Sequence, residues 1–161
     1  YKTKSKRIEL YNERYAEMGV DPMPVYRSPR EVPAERFRLV VGRNAYFTHC
    51  TTQNNKLLHE FMPENTLWIN PESASALGIK DGDLVEVSSP AGKDELKAEI
   101  KSGIRQDTVY MASGFGVLSK GLTNIYGKGA CIAEVLEDYS DELSGNMAMH
   151  ETFVRVTRKA A

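Results

Sequence analysis

Leu96, Ala98 and Ile100 alternate with Lys97, Glu99 and Lys101. A strict period of two sends every apolar side chain to one face of a strand and every charge to the other. The segment reads as a half-buried strand with a fully charged wet face. Residues 83–89, DLVEVSS, precede it across Pro90-Ala91-Gly92, so the two runs read as a hairpin. Further short strands are expected at Leu39-Val40-Val41, at Leu67-Trp68-Ile69, over residues 108–111 and over residues 152–157. In the last of these, Phe153 and Arg155 would face opposite Val154 and Val156. Helices are few and short. One candidate is 56–62, with Leu57, Leu58 and Phe61 on one face and Pro63 closing it. Another opens at Asn70-Pro71-Glu72, with a capping amide, proline in the first turn and an acid at the positive end, and stops at Leu77-Gly78. Residues 131–136 read as one helical turn or two, 121–129 as a glycine-punctuated loop and 138–145 as an acidic turn. Short strands without βαβ alternation predict a closed, mostly β barrel with short helices.

The 161 residues allow one globular domain with a real core and are too few for two ordinary ones. A formal net charge of -1 gives no global field to recruit nucleic acid or a membrane surface, so no nucleic-acid partner is expected. No run approaches the roughly 18 apolar residues of a membrane span, and the first ten residues carry no apolar signal core. Cys50 and Cys131 stand 81 positions apart without a CxxC pair. That indicates neither a zinc knuckle nor a disulfide framework; the two could form one bridge, but the spacing favours two separate buried thiols. Residues 1–36 hold four of the seven prolines and read as a linker or strap. Ile8, Tyr11, Tyr15 and Met18 could form a helical stripe, although Ile8 and Leu10 also fit a short strand. The barrel is expected over 37–161.

Residues 37–60 break at Gly42 after an apolar strand and continue into Arg43, Asn44, Thr48, His49, Thr51, Thr52, Gln53, Asn54 and Asn55. Hydroxyls, amides, one Arg and one His at a strand end can form a hydrogen-bonding shelf for a large polar ligand. A solvated loop with an asparagine turn is the plain alternative, and residue chemistry leaves both open. A second strand end runs out into Ser113-Gly114-Phe115-Gly116, and two such ends could line one groove.

Four stretches together resemble the C-terminal molybdopterin-dinucleotide-binding domain of the dimethyl-sulfoxide-reductase family: VVGRNAYFTHCTTQNN, LWINPESASALGIKDGDLVEVSSPAG, IKSGIRQDTVYMASGFG and LSGNMAMHETFVRV. Within it the likeness is to catalytic subunits of thiosulfate and polysulfide reductases, then to arsenate and arsenite enzymes. It covers about residues 36–158, and KRIELYNERYAEMGVDPMP is similar to the stretch that joins this domain to the one before it. The resemblance implies a six-stranded double-psi β-barrel that caps a bis(molybdopterin guanine dinucleotide) carrying Mo or W. It implies cofactor contacts from Gly42, Arg43, Thr48, His49, Thr51, Thr52, Gln53, Asn54, Ser113 and Gly114, with Arg155 as a further candidate against a surface ion pair. Arg43 is the first choice for the pyrophosphate, because a guanidinium can meet it with two bonds at once.

Two departures stand out: Ser113 replaces a histidine frequent in relatives, and Ala133 replaces an asparagine that reaches the cofactor. His59 and His150 are read as structural, and Lys120 and Lys128 as solvated. The resemblance further implies a longer parent enzyme moving electrons and an oxygen or sulfur atom at molybdenum. The remaining domains of its catalytic subunit would hold the metal ligand, so the 161 residues alone are expected to be inactive. An iron–sulfur subunit and a membrane anchor subunit would be partners, on the periplasmic face of a bacterial membrane. Two other classes use such a barrel. A recruitment module without cofactor would lack the polar run 43–55, and a pyruvoyl-dependent decarboxylase needs a Gly-Ser bond that this chain does not contain.

Overall fold

The structure, a computed structural model, describes residues 1–141 and 143–159. Glu142 in the acidic turn and the last two residues of the expected barrel lie outside the described residues. The chain forms two compact units, Tyr1–Arg30 and Glu31–Ala161. The first carries one short helix, α1, Glu13–Glu17, opened by the Asn12 side chain accepting from the Arg14 amide. The stripe expected from Ile8 onward does not form, because Asn12 caps the helix one turn later, and Ile8, Tyr11 and Met18 stay exposed. None of the first 30 residues, all of them described, is buried.

The second unit is built from β1 (Phe37–Gly42), α2 (Lys56–His59), β2 (Thr66–Ile69), α3 (Pro71–Ala76), β3 (Leu84–Ser88), β4 (Lys93–Ile100), β5 (Thr108–Ala112) and β6 (Phe153–Arg158). The strands close in the order β1-β5-β2-β4-β3-β6. β1 pairs parallel with β5 and β2 parallel with β4, and the other four pairings are antiparallel. Replacing β1, β2 and β3 by β4, β5 and β6 reproduces the same ring and the same pair directions. The chain leaving β1 therefore passes over β5 to enter β2, and the chain leaving β4 passes over β2 to enter β5. Those two interlocked crossings make the barrel a double-psi barrel.

Period two fills its interior. Leu39, Val41, Leu67, Ile69, Val85, Val87, Leu96, Ala98, Val109, Met111, Val154 and Val156 are buried together, and such a layer removes enough apolar surface from water to hold the ring closed. The expected alternation fails at Phe153, which is buried beside Val154 because the Arg38 guanidinium lies over its ring, 4.9 Å from the centroid. α3 starts where expected, with Asn70 Oδ1 accepting from the Glu72 amide at 2.9 Å. The helix α2 is shorter than expected, and Leu57 and Phe61 are exposed: four residues give it no length to lay a stripe on the barrel. Residues 132–134 form a single 3-10 turn. Cys50 is exposed and Cys131 partly exposed, so neither is the buried thiol that apolar packing suggested. Among the described residues no helix is long and apolar enough to cross a membrane.

On the outer wall Glu99 accepts from Thr66 Oγ1 at 2.6 Å and Trp68 Nε1 at 3.0 Å, and pairs with Lys101 at 2.5 Å. Partial burial pushes its carboxyl up, but Lys101 and the two hydrogen bonds together hold it below its usual range. A carboxyl with a lowered folded pKa contributes stability that is fully present above its unfolded value, about 4.3, and is lost as pH falls through the folded one. Thermal unfolding midpoints should therefore fall between about pH 5 and pH 3, and Glu99→Gln should flatten part of that fall. An unchanged slope in Glu99→Gln would show that other carboxylates carry the acid sensitivity.

Candidate dinucleotide-binding site

The register of β1 on β5 sets Gly42 opposite Ala112. One step further the Ser113 amide donates to the Gly42 carbonyl at 2.9 Å, so both strands run out side by side at the same end of the barrel. Gly42 lies against the outward-facing Tyr110: a Cβ there would come within 3.0 Å of the ring. The Tyr110 hydroxyl reaches the Arg43 carbonyl at 3.4 Å. Burial holds that phenol above its usual pKa, so it stays neutral and able to donate. The Arg43 guanidinium is exposed, and among the described residues it makes no ion pair.

The loop then turns tightly. Asn44 Oδ1 accepts from the Tyr46 amide at 2.9 Å, and Thr52 Oγ1 accepts from the Thr48 amide at 2.8 Å. His49 opens a 3-10 turn over His49–Thr52 at φ 48°, a left-handed position that few side chains occupy. Thr48, His49 and Thr51 are exposed, while Thr52 is half-buried.

Gln53 is 1% exposed and packs directly beneath Gly114. At φ 97°, a Cβ on Gly114 would fall 2.7 Å from Gln53 Nε2, so only glycine lets the second strand end close onto the first loop. Phe47 and Phe115 meet edge to face at 5.7 Å in the same seam. His59 is buried and hydrogen-bonds the Gln53 carbonyl, a structural role, as its place on the short helix suggested. Among the described residues Gln53 Oε1 has no hydrogen-bond partner, and a buried orphan of that kind costs about 1–3 kcal/mol. The amide fills the space under the bare Cα of Gly114 and so supports the floor of the shelf.

Three of the residues that the sequence marks as cofactor contacts differ from expectation in role or place. Gln53 does not present its side chain to solvent; it supports the floor. Asn54 is occupied as well: its Oδ1 accepts from the Asn124 amide at 2.9 Å, and its carbonyl accepts from Asn124 Nδ2 at 2.7 Å. It ties the shelf to the glycine-rich loop. Arg155 is excluded from the shelf. β6 runs antiparallel to β1 with Phe37 opposite Val154, which places Arg155 about 17 Å or more from Gly42 along the strands. It pairs there with Glu35 at 3.1 Å. The structure thus brings together Gly42, Arg43, Gln53, Ser113 and Gly114, with Thr48, His49, Thr51 and Thr52 on the adjoining turn and Asn54 behind it.

Sequence reasoning missed Asn65. It is fully buried and spans the back of the same seam, donating to the Ala112 carbonyl at 2.8 Å and the Ala130 carbonyl at 3.0 Å while accepting from the Ala130 amide at 2.8 Å. A single asparagine between Glu64 and Thr66 looks like ordinary turn chemistry, and nothing local marks it.

Residues 37–153 match the family described as "Molydopterin dinucleotide binding domain". The chain belongs to that family, within the dimethyl-sulfoxide-reductase group. As a molybdopterin-dinucleotide-binding domain it is similar to the thiosulfate reductase molybdopterin-containing subunit PhsA of Salmonella typhimurium, with 30% identity over 98% of this chain and 21% of that protein. It is similar also to the arsenate respiratory reductase molybdopterin-containing subunit ArrA of Chrysiogenes arsenatis, with 27% identity over 83% of this chain and 18% of that protein. The chain therefore spans about a fifth of the length of these relatives. Its fold matches acetylene hydratase from Pelobacter acetylenicus with a TM-score of 0.80 at 19% identity, covering 98% of this chain and 24% of that one. The residues present suit the dinucleotide: neutral amides and hydroxyls for ring edges and ribose, and an exposed guanidinium for phosphate. Among the described residues, no group of three His, Cys, Asp or Glu could hold a metal ion.

Proposed function

We propose that this domain seats the pterin and pyrophosphate portion of a molybdopterin guanine dinucleotide in a longer oxidoreductase of the thiosulfate or polysulfide reductase kind. The observation that carries this reading is the side-by-side ending of β1 and β5, which sets the exposed Arg43 and the 48–52 turn beside Ser113 and Gly114 in one place. When bound, the cofactor supplies the metal chemistry of electron and oxygen- or sulfur-atom transfer. The residues of this chain bind and orient it. Arg43 would meet a phosphate through two parallel N–H donors, and Thr48, His49, Thr51 and Thr52 would offer hydroxyl and imidazole groups to ring edges and ribose. Gln53 under Gly114 fixes the distance between the two strand ends.

Holding the two strand ends at that distance would fix the orientation in which these residues hold the cofactor, which is how a protein tunes chemistry that belongs to the cofactor. Metal ligand, iron–sulfur partner and membrane anchor would lie in other parts of the assembly. The similarity to PhsA, which extends over nearly the whole chain, supports the sulfur-compound reading of the parent.

Titrating a guanine nucleotide diphosphate into isotope-labelled chain tests the seat. Amide shifts should concentrate at 42–55 and 113–116, moving together. Shifts confined to the Arg155 end of the barrel, or none at millimolar ligand, would contradict it.

A further inference from the structure

We propose that His150 is a further ligand-binding residue of this seat, donating from Nε2 to an anionic, phosphate-type oxygen of the bound molecule; the inference rests on the reading above. β6 accompanies β1 only at Phe37 and Arg38, which leaves the β1 edge open toward Gly42. Along that edge Leu39 donates to the Thr152 carbonyl at 3.0 Å. At the next edge amide the acceptor is a side chain: Val41 donates to His150 Nδ1 at 3.3 Å. The imidazole thus occupies the last edge position before the Gly42-Arg43 corner. Ser113 sits on the other edge of the same corner.

The ring is held in one orientation. Arg38 donates to the His150 carbonyl at 2.7 Å and pairs with Glu151 at 2.6 Å, which pins the 3-10 turn Met149–Glu151 against β1. Because Nδ1 accepts from Val41, the neutral ring carries its proton on Nε2. The two ring nitrogens diverge, so Nε2–H turns outward, and it has no protein partner among the described residues. A side chain exposed at this point, with Nδ1 held by an amide two residues before Arg43 on the same strand edge, is a pre-oriented donor at the corner that carries the exposed Arg43. Oriented neutral donors next to a cation are what a pyrophosphate oxygen requires. The plain competing role is closure of the strand edge alone.

Two substitutions in the full-length protein separate the roles. His150→Asn places Oδ1 near the position of Nδ1, keeps the Val41 hydrogen bond and removes the outward donor; His150→Ala removes both. Bound pterin and molybdenum per chain are followed during dialysis, and melting is measured on the cofactor-stripped proteins. Both variants should lose cofactor about tenfold faster than the parent, the loss expected for one hydrogen bond to a charged group. Only His150→Ala should lower the stripped melting point. If His150→Asn retains cofactor as the parent does, or melts as low as His150→Ala, the histidine is an edge cap and the proposal fails. A parent protein that purifies without any pterin would instead overturn the seat itself, and His150 with it.

Discussion

Replacing Asn65 by leucine is expected to destabilise the chain by about 4 kcal/mol. The side chain is 0% exposed and holds three backbone groups: the carbonyls of Ala112 and Ala130 and the Ala130 amide. Leucine of similar volume would leave all three buried without partners, at roughly 1–3 kcal/mol each before relaxation. Relaxation is limited by Gly129, whose φ is 65° and whose bare Cα already lies so close that a Cβ would fall 2.3 Å from Asn65 Oδ1. Urea unfolding should show the midpoint falling with an unchanged slope. A loss below about 1 kcal/mol would mean that water re-pairs these groups, and that the seam is looser than its hydrogen bonds indicate. Because Ala112 directly precedes Ser113 and Gly114, the same change should also free the second wall of the seat.

Local chemistry makes part of this legible in the sequence. The charged alternation from Lys97 to Lys101 and the Asn70-Pro71-Glu72 start each specify their own element, because period and capping act within a few residues. The closed strand order rests on pairings between distant segments, β1 with β5 above all, and no local pattern encodes them; the family resemblance carries that step. The site divides in the same way. Gly42, Arg43 and the 48–52 turn are visible as a polar break after an apolar strand. Gln53 as a floor residue depends on the positive φ of Gly114, sixty-one positions on, and the Asn54–Asn124 clamp on a loop that reads as filler. Arg155 shows the converse. Period two assigns it correctly to the outer face, but which end of the barrel it serves is a matter of register, set by the Phe37–Val154 pairing.

The second large effect concerns binding with little change in folding. Arg43 is exposed and makes no ion pair among the described residues, so Arg43→Ala should change stability by no more than about 0.5 kcal/mol, as ordinary surface changes do. A bidentate guanidinium–phosphate contact is worth roughly 2–3 kcal/mol, so its loss should weaken cofactor affinity about 30- to 150-fold. Lysine should restore the charge and only part of the affinity, because it lacks the planar fork. Glu35 and Arg155, at the far end of the barrel, provide the control: Arg155→Ala should leave cofactor content unchanged.

Molybdenum and pterin content per chain in purified full-length Arg43→Ala, set beside the melting temperature of the same protein stripped of cofactor, tests the seat most directly. Cofactor content should fall to a small fraction of the parent's while the stripped melting temperature stays unmoved. Parental molybdenum and pterin content in Arg43→Ala would contradict it.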